Sequence, residues 1–213
     1  METKSTVKGA PETTPVLYRR DEVLESTLDY FNGDELAATS WMNKYAMKLN
    51  EDEFYELNPD DMHRRLAAEF ARIENNYIDS GPNSDLSTYG QERKHLSEDD
   101  IYSLFSGFRY VVPQGSVMAA LGNSTMLASL SNCVVINPPH DSYSGILYTD
   151  QQLVQLFKRR CGVGFDISSL RPIGLGVNNS ANSTTGAVSF MERFSNTTRE
   201  VSQHGRRGCL LYT

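Results

Sequence analysis

Leu130-Ser131-Asn132-Cys133-Val134-Val135-Ile136 opens a stretch that reads LSNCVVINPPHDSYSGILYTDQQLVQLFKRRCGVGFDI over residues 130–167. Leu130 to Ile136 is apolar, of strand length and bounded by turn residues, so it reads as a buried strand, interrupted chemically by Asn132 and Cys133. Pro138-Pro139 makes a rigid turn after it. Thr149 and Gln152 can cap a helix bearing Leu153, Leu156 and Phe157, ending in Lys158-Arg159-Arg160 and Gly162. Val163 to Ile167 reads as the next strand. Strand, helix and strand in this order predict an α/β domain.

Downstream, the Gly/Asn/Ser/Thr-rich stretch 174–186 leads into a helix with Val188, Met191, Phe194 and Val201, and Arg206 to Leu211 reads as a further strand beginning. Upstream, the texture is helical. Asp21 can cap a helix with Leu24, Leu28 and Phe31 on one face, and Asp34 the next, with Ala37, Trp41 and Tyr45. Asn58-Pro59-Asp60-Asp61 combines a cap, a proline at the first helical position and carboxylates facing the dipole. Behind it Met62, Leu66, Phe70, Ile73 and Tyr77 form one stripe. Residues 79–95 read as a loop, and Ser97 with Asp100 opens a capped helix carrying Ile101, Leu104, Phe105 and Phe108. The expected organisation is a flexible tail (1–17), a helical N-terminal domain (18–109) and an α/β domain (110–213) that is cut off where a strand begins.

The chain has 213 residues, enough to bury a core in one large domain or two small ones. Its 20 Lys+Arg against 27 Asp+Glu give a formal charge of -7, which argues against a duplex-DNA binder. No run approaches a membrane span, and the polar N-terminus has no secretory h-region. Cys133, Cys161 and Cys209 fit neither a disulfide framework nor a zinc knuckle, and the composition points to a reducing cytoplasm.

Cys133 is the first candidate for chemistry. A thiol in an apolar strand is often a small core residue, but Ser131, Asn132 and Cys133 put three polar groups in succession where burial demands partners. A bound substrate would be one such partner. Asp141, followed by Ser142, can accept hydrogen bonds from a ribose, or can simply cap a turn. Arg159, Arg160 and Arg171 flank Gly162 and Gly164, where guanidinium groups and backbone N–H groups can meet phosphates. The same cations also suit a helix C-terminus. No Gly-x-x-x-x-Gly-Lys-Ser/Thr occurs, so the chain is no P-loop enzyme.

Taken in order, Pro113-Gln114-Gly115-Ser116, Ser129 to Cys133, Asp141-Ser142, Arg159 to Gly164, Leu170-Arg171-Pro172, Asn179-Ser180-Ala181 and SFMERFSNTTREVSQHGRR (189–207) resemble ribonucleotide reductase large subunits. The likeness is strongest after Tyr110 and leans toward the adenosylcobalamin-dependent branch, since the N-terminal helices do not look like an ATP-cone. It implies a helical domain followed by the first part of a ten-stranded α/β barrel. It implies that Cys133 is the first thiol of the pair that reduces the ribose 2′ position. Ser116, Asn132 and Gly162 would lie at the substrate. Asp141, Ser142 and Arg171 would hold the dNTP or ATP effector that sets substrate choice, and helices at 150–160 and 185–201 would lie at a homodimer contact.

The resemblance further implies adenosylcobalamin, or in the other branch a diiron or dimanganese radical subunit, and a thioredoxin- or glutaredoxin-type reductant. The radical loop and second thiol would lie in a C-terminal part beyond Thr213, so the chain alone would be inactive. Two departures stand out: Cys161 where the family often has glycine, and Cys209 where alanine is usual. Cys209 either begins a buried strand or is the thiol that opens an intein. The rival reading of the whole chain is a non-catalytic dNTP-binding or dimerisation module.

Overall fold

A computed structural model describes residues 16–79, 87–201 and 210–212. The chain divides into two compact units after Met62, within a helix, whereas the texture of the sequence changes at Tyr110.

In the first unit, strand β1 (Tyr18–Arg19) pairs antiparallel with β2 (Glu53–Phe54) beside helices α1 (Arg20–Tyr30) and α2 (Glu35–Lys44). Helix α1 begins one residue before Asp21. Its cap is Arg19, whose backbone N–H donates to Glu22 at 2.7 Å, and this leaves Asp21 in the first turn. Asp34 caps α2 as expected, accepting from the Ala37 N–H at 2.9 Å. The buried faces are turned slightly from the expected ones. Val23 and Thr27 on α1, and Ala38, Trp41 and Met42 on α2, are the residues fully enclosed. Trp41 Nε1 donates to Met62 Sδ at 3.4 Å, giving the buried indole a polar partner.

Helix α3 (Pro59–Asp79) starts where the proline and its flanking carboxylates put it, with Asn58 accepting from the Asp60 N–H at 2.9 Å. Its apolar stripe is only half buried. Met62 and Leu66 are enclosed, while Phe70 and Ile73 are each 38% exposed. A stripe identifies a helix face, not the length over which neighbours cover it. The expected loop at 79–95 contains a short helix, α4 (Thr88–Glu92), followed by α5 (Glu98–Phe105) with the Ser97–Asp100 capping box in place.

The second unit holds the α/β part. Helix α6 (Gly115–Ala120) precedes β3 (Cys133–Val135), α7 (Tyr143–Phe157), β4 (Gly162–Phe165), α8 (Ala187–Val201) and β5 (Leu210–Tyr212). The three strands form a parallel sheet in the order β3-β4-β5, with Cys133 opposite Gly162 and Val163 opposite Leu210. Helices connect parallel strands, as that topology requires. The core lies between sheet and helices: Ile146, Leu153 and Phe157 from α7, Val163 and Phe165 from β4, Leu170, and Phe194 from α8. Phe165 and Phe194 meet edge to face, 5.0 Å between centroids.

Two expectations are corrected. Helix α7 begins at Tyr143, well before Thr149, because Ser142 caps it by accepting from the Gly145 N–H at 3.1 Å. Strand β3 is shorter than Leu130–Ile136 and is not buried: Cys133 and Val135 are exposed, Val135 at 86%. Apolar composition marks a strand but does not place it within the sheet. Cys209 lies outside the described residues.

Candidate functional site

The candidate residues fall into two hydrogen-bonded groups, one at the start of β3 and one beyond its end. Asn132 joins the first. Its side-chain Oδ1 accepts from the Ser116 backbone N–H at 2.8 Å, and its backbone carbonyl accepts from the Gly162 N–H at 2.7 Å. Cys133 follows directly and faces Gly162 across the ladder. Ser116, the adjacent pair Asn132 and Cys133, and Gly162, three separate stretches of sequence, therefore share one corner of the α/β unit. Both oxygens of Asn132 thus accept from backbone amides.

The cysteines of this corner differ sharply. Cys133 is exposed, while Cys161 is fully buried, its Sγ 3.5 Å from the Gly162 carbonyl oxygen. Adjacent residues of a strand project to opposite faces. Cys161, immediately before the residue that pairs with Cys133, therefore belongs to the face opposite Cys133 and occupies core volume.

Helix α6 is too short to hold itself together, since isolated helices of this length do not survive in water. Asn132 engages its N-terminal end. At its other end Arg65, from α3, donates Nη2 to the Met118 carbonyl at 2.9 Å and Nη1 to the Leu121 carbonyl. Gly122 follows with φ +73°, and a Cβ there would meet the side-chain stems of Glu69 and Arg65 at 2.8 and 2.9 Å. Nothing in the sequence around Arg65 marks this role. A surface arginine on an amphipathic helix has no local signature for a partner some fifty residues away (the Leu121 contact spans 56).

The second group surrounds the N-terminus of α7. Asp141 accepts from Arg171 Nε at 2.6 Å, and the same guanidinium donates Nη1 to the Gly176 carbonyl at 2.9 Å. Ser142, between Asp141 and the helix, spends its hydroxyl on the cap. Beyond Arg171 the chain folds back on itself, with a bridge between Gly176 and Ser183 and a bond from the Gly174 N–H to the Thr184 carbonyl at 3.1 Å. Gly186, at φ +81°, closes this loop so tightly that a Cβ would lie 2.7 Å from the Ile173 nitrogen. Arg159 takes the plainer of its two readings: it donates to the Gln155 carbonyl at 2.7 Å, at the end of α7. Asp150 on α7 receives Arg193 at 2.9 Å and Thr197 at 2.6 Å from α8, a link that sequence reading did not single out.

Among the described residues no group of three or more His, Cys, Asp or Glu side chains is arranged to hold a metal ion. Among the described residues, one open hollow of about 420 Å³ lies along α8 at Ser189, Arg193 and Thr197, and another of about 740 Å³ lies around Arg19, Asn50 and Asp52. Neither hollow has Cys133 among its lining residues. No described helix is long and apolar enough to cross a membrane.

Residues 131–210 match the family model for the ribonucleotide reductase barrel domain. A vitamin B12-dependent ribonucleoside-diphosphate reductase from Thermoplasma acidophilum is 35% identical over 96 residues, covering 45% of this chain and 12% of the relative. One from Mycobacterium tuberculosis is 33% identical over 87 residues, covering 41% and 12%. A ribonucleoside-diphosphate reductase large chain from Encephalitozoon cuniculi is 21% identical over 198 residues, covering 90% of this chain and 22% of its own length. The chain thus spans between 12% and 22% of these relatives. The matched stretch is the one that carries Asn132, Cys133, Gly162 and the parallel ladder, and it is over these residues that the chain is similar to the ribonucleotide reductase barrel domain.

Proposed function

We propose that this chain is the N-terminal part of a ribonucleotide reductase large subunit that converts ribonucleotides to deoxyribonucleotides. The observation that carries the reading is the joining of Ser116, Asn132, Cys133 and Gly162 at the start of β3. In this reading the substrate sits over that corner, with Ser116, Asn132 and Gly162 around its phosphate and ribose. Cys133 and a second thiol are oxidised to a disulfide. They supply two electrons and two protons while the 2′ C–O bond breaks and its oxygen leaves as water. The exposure of Cys133 supports the role, because a thiol must reach both substrate and an external dithiol reductant.

The three-stranded parallel sheet is, on this reading, the beginning of a ten-stranded α/β barrel. The relatives named as vitamin B12-dependent favour adenosylcobalamin over a diiron or dimanganese subunit as the radical source, and the relatives' names favour a diphosphate substrate over a triphosphate. Asp141, Ser142 and Arg171 form the effector site for a dNTP or ATP, beside a homodimer contact made by α7 and α8. The clustering of these three residues at the start of α7 also suits the second reading, a dNTP-binding module without catalysis.

The deciding experiment supplies the chain with the remainder of the large subunit, adenosylcobalamin, a ribonucleoside diphosphate, a dNTP and a dithiol. Deoxyribonucleotide formation that Cys133→Ser abolishes is the expected result. Saturable dNTP binding with no turnover under any of these conditions favours the second reading instead.

A further inference from the structure

The substrate corner depends on a helix that cannot stand by itself; besides the burial of Ala119 and the bond from Asn123 Nδ2 to the Ala119 carbonyl at 3.2 Å, two side chains from elsewhere in the unit hold its ends. Asn132 engages the Ser116 amide near the N-terminus of α6. Arg65 engages the Met118 and Leu121 carbonyls at the C-terminus, where helix carbonyls lack intrahelical partners and a cation is favoured. Its stem also fills the space beside Gly122 that a Cβ would need. A six-residue helix has few hydrogen bonds of its own, so loss of a guanidinium that bonds two of its terminal carbonyls loosens that end.

We infer that Arg65 is a positioning residue for the substrate corner: it fixes the far end of α6 and so holds Ser116 against Asn132. Arg65 donates to the Met118 and Leu121 carbonyls and acts on Ser116 through the helical turn formed by the four residues between Ser116 and Leu121. A planar, two-pronged donor suits the task, because one guanidinium reaches two carbonyls at once. The consequence for the reductase rests on the function proposed above, but the mechanical claim does not.

The test uses the full chain. Arg65→Met keeps the apolar stem beside Gly122 and removes every donor, while Arg65→Lys keeps a cation able to donate to the same carbonyls. Amide hydrogen exchange is followed at Ser116 and Gly162, and CDP is titrated as the probe. We expect Arg65→Met to speed exchange at Ser116 about tenfold or more, with Gly162 still protected and CDP affinity lower by about tenfold. Arg65→Lys should restore most of the Ser116 protection. Unchanged Ser116 exchange in Arg65→Met overturns the inference. So does equal loss of protection at Ser116 and Gly162, which would make Arg65 a residue of general stability. If Ser116 responds as described but the unaltered chain shows no saturable CDP binding, the positioning role stands and the substrate reading of the corner falls.

Discussion

Arg171 Nε lies 2.6 Å from Asp141 Oδ2, across thirty residues of sequence, and the same guanidinium donates to the Gly176 carbonyl. The ion pair therefore fastens the loop after Arg171 to the residue that precedes the α7 cap. Both side chains are only about one-third exposed, at 35% and 32%, so screening by solvent is partial. An effector ribose that binds to Asp141 must share that carboxylate with Arg171.

For this reason Asp141→Ala is expected to weaken dNTP binding and blur substrate choice more than it lowers basal turnover. Losing charge-assisted hydrogen bonds costs about 1.5–3 kcal/mol, roughly ten- to a hundredfold in affinity. Titration of dATP and dTTP against the altered and unaltered proteins measures it. Identical curves would reduce Asp141 to a structural partner of Arg171.

The two described cysteines should separate cleanly by reactivity. Cys133 is exposed and Cys161 is at 0%, so brief iodoacetamide treatment of the native chain should label Cys133 and spare Cys161 until denaturant is added. Peptide mass mapping reads the outcome at each position. Equal labelling of both thiols would mean that β4 is not packed as described.

Glu74 makes a pH-dependent contribution to stability. Arg93 grips its carboxylate at 2.5 and 2.6 Å, and the Leu96 N–H and His95 add further hydrogen bonds. Led by the Arg93 bonds, these hold its pKa down at about 2, against an ordinary 4.5. A depressed carboxylate stabilises the fold above its unfolded pKa, and that contribution is lost as pH falls from 4.5 toward 2. Glu74→Gln should cost about 1.5–3 kcal/mol near neutrality and progressively less below pH 4.5. Denaturant melts at several pH values check this; a mutational cost that does not shrink with acid refutes it.

Gly145 is needed for close approach rather than for an unusual backbone angle. A Cβ there would sit 2.5 Å from the His140 carbonyl oxygen and 2.7 Å from its Cβ. Gly145→Ala should therefore push the 140–142 turn away from α7, lower stability by about 1–3 kcal/mol, and loosen the Ser142 cap. Thermal unfolding measures the first effect. A neutral or stabilising substitution would show that the turn yields freely.

Much of this protein was legible from its residues alone. Asp34, the Asn58-Pro59 start and the Ser97–Asp100 box each act through atoms within a few residues, so local chemistry specified those helix starts. The alternation of Val134–Ile136, Leu153–Phe157 and Val163–Phe165 likewise determined a strand–helix–strand unit, because burying those side chains requires one face of each element. The family likeness between Ser131 and Leu210 rests on the same local order. What required tertiary structure was the partnering of distant groups and the exposure of each face. The start of α7 moved to Tyr143 because the Ser142 cap decides it, not the apolar stripe that begins farther on. Cys133 proved exposed and Cys161 buried because burial depends on which strand has neighbours on which side. Arg65 on α6 and Arg171 on Asp141 join residues that sequence separates by dozens of positions, and a guanidinium carries no mark of its partner until the chain has folded.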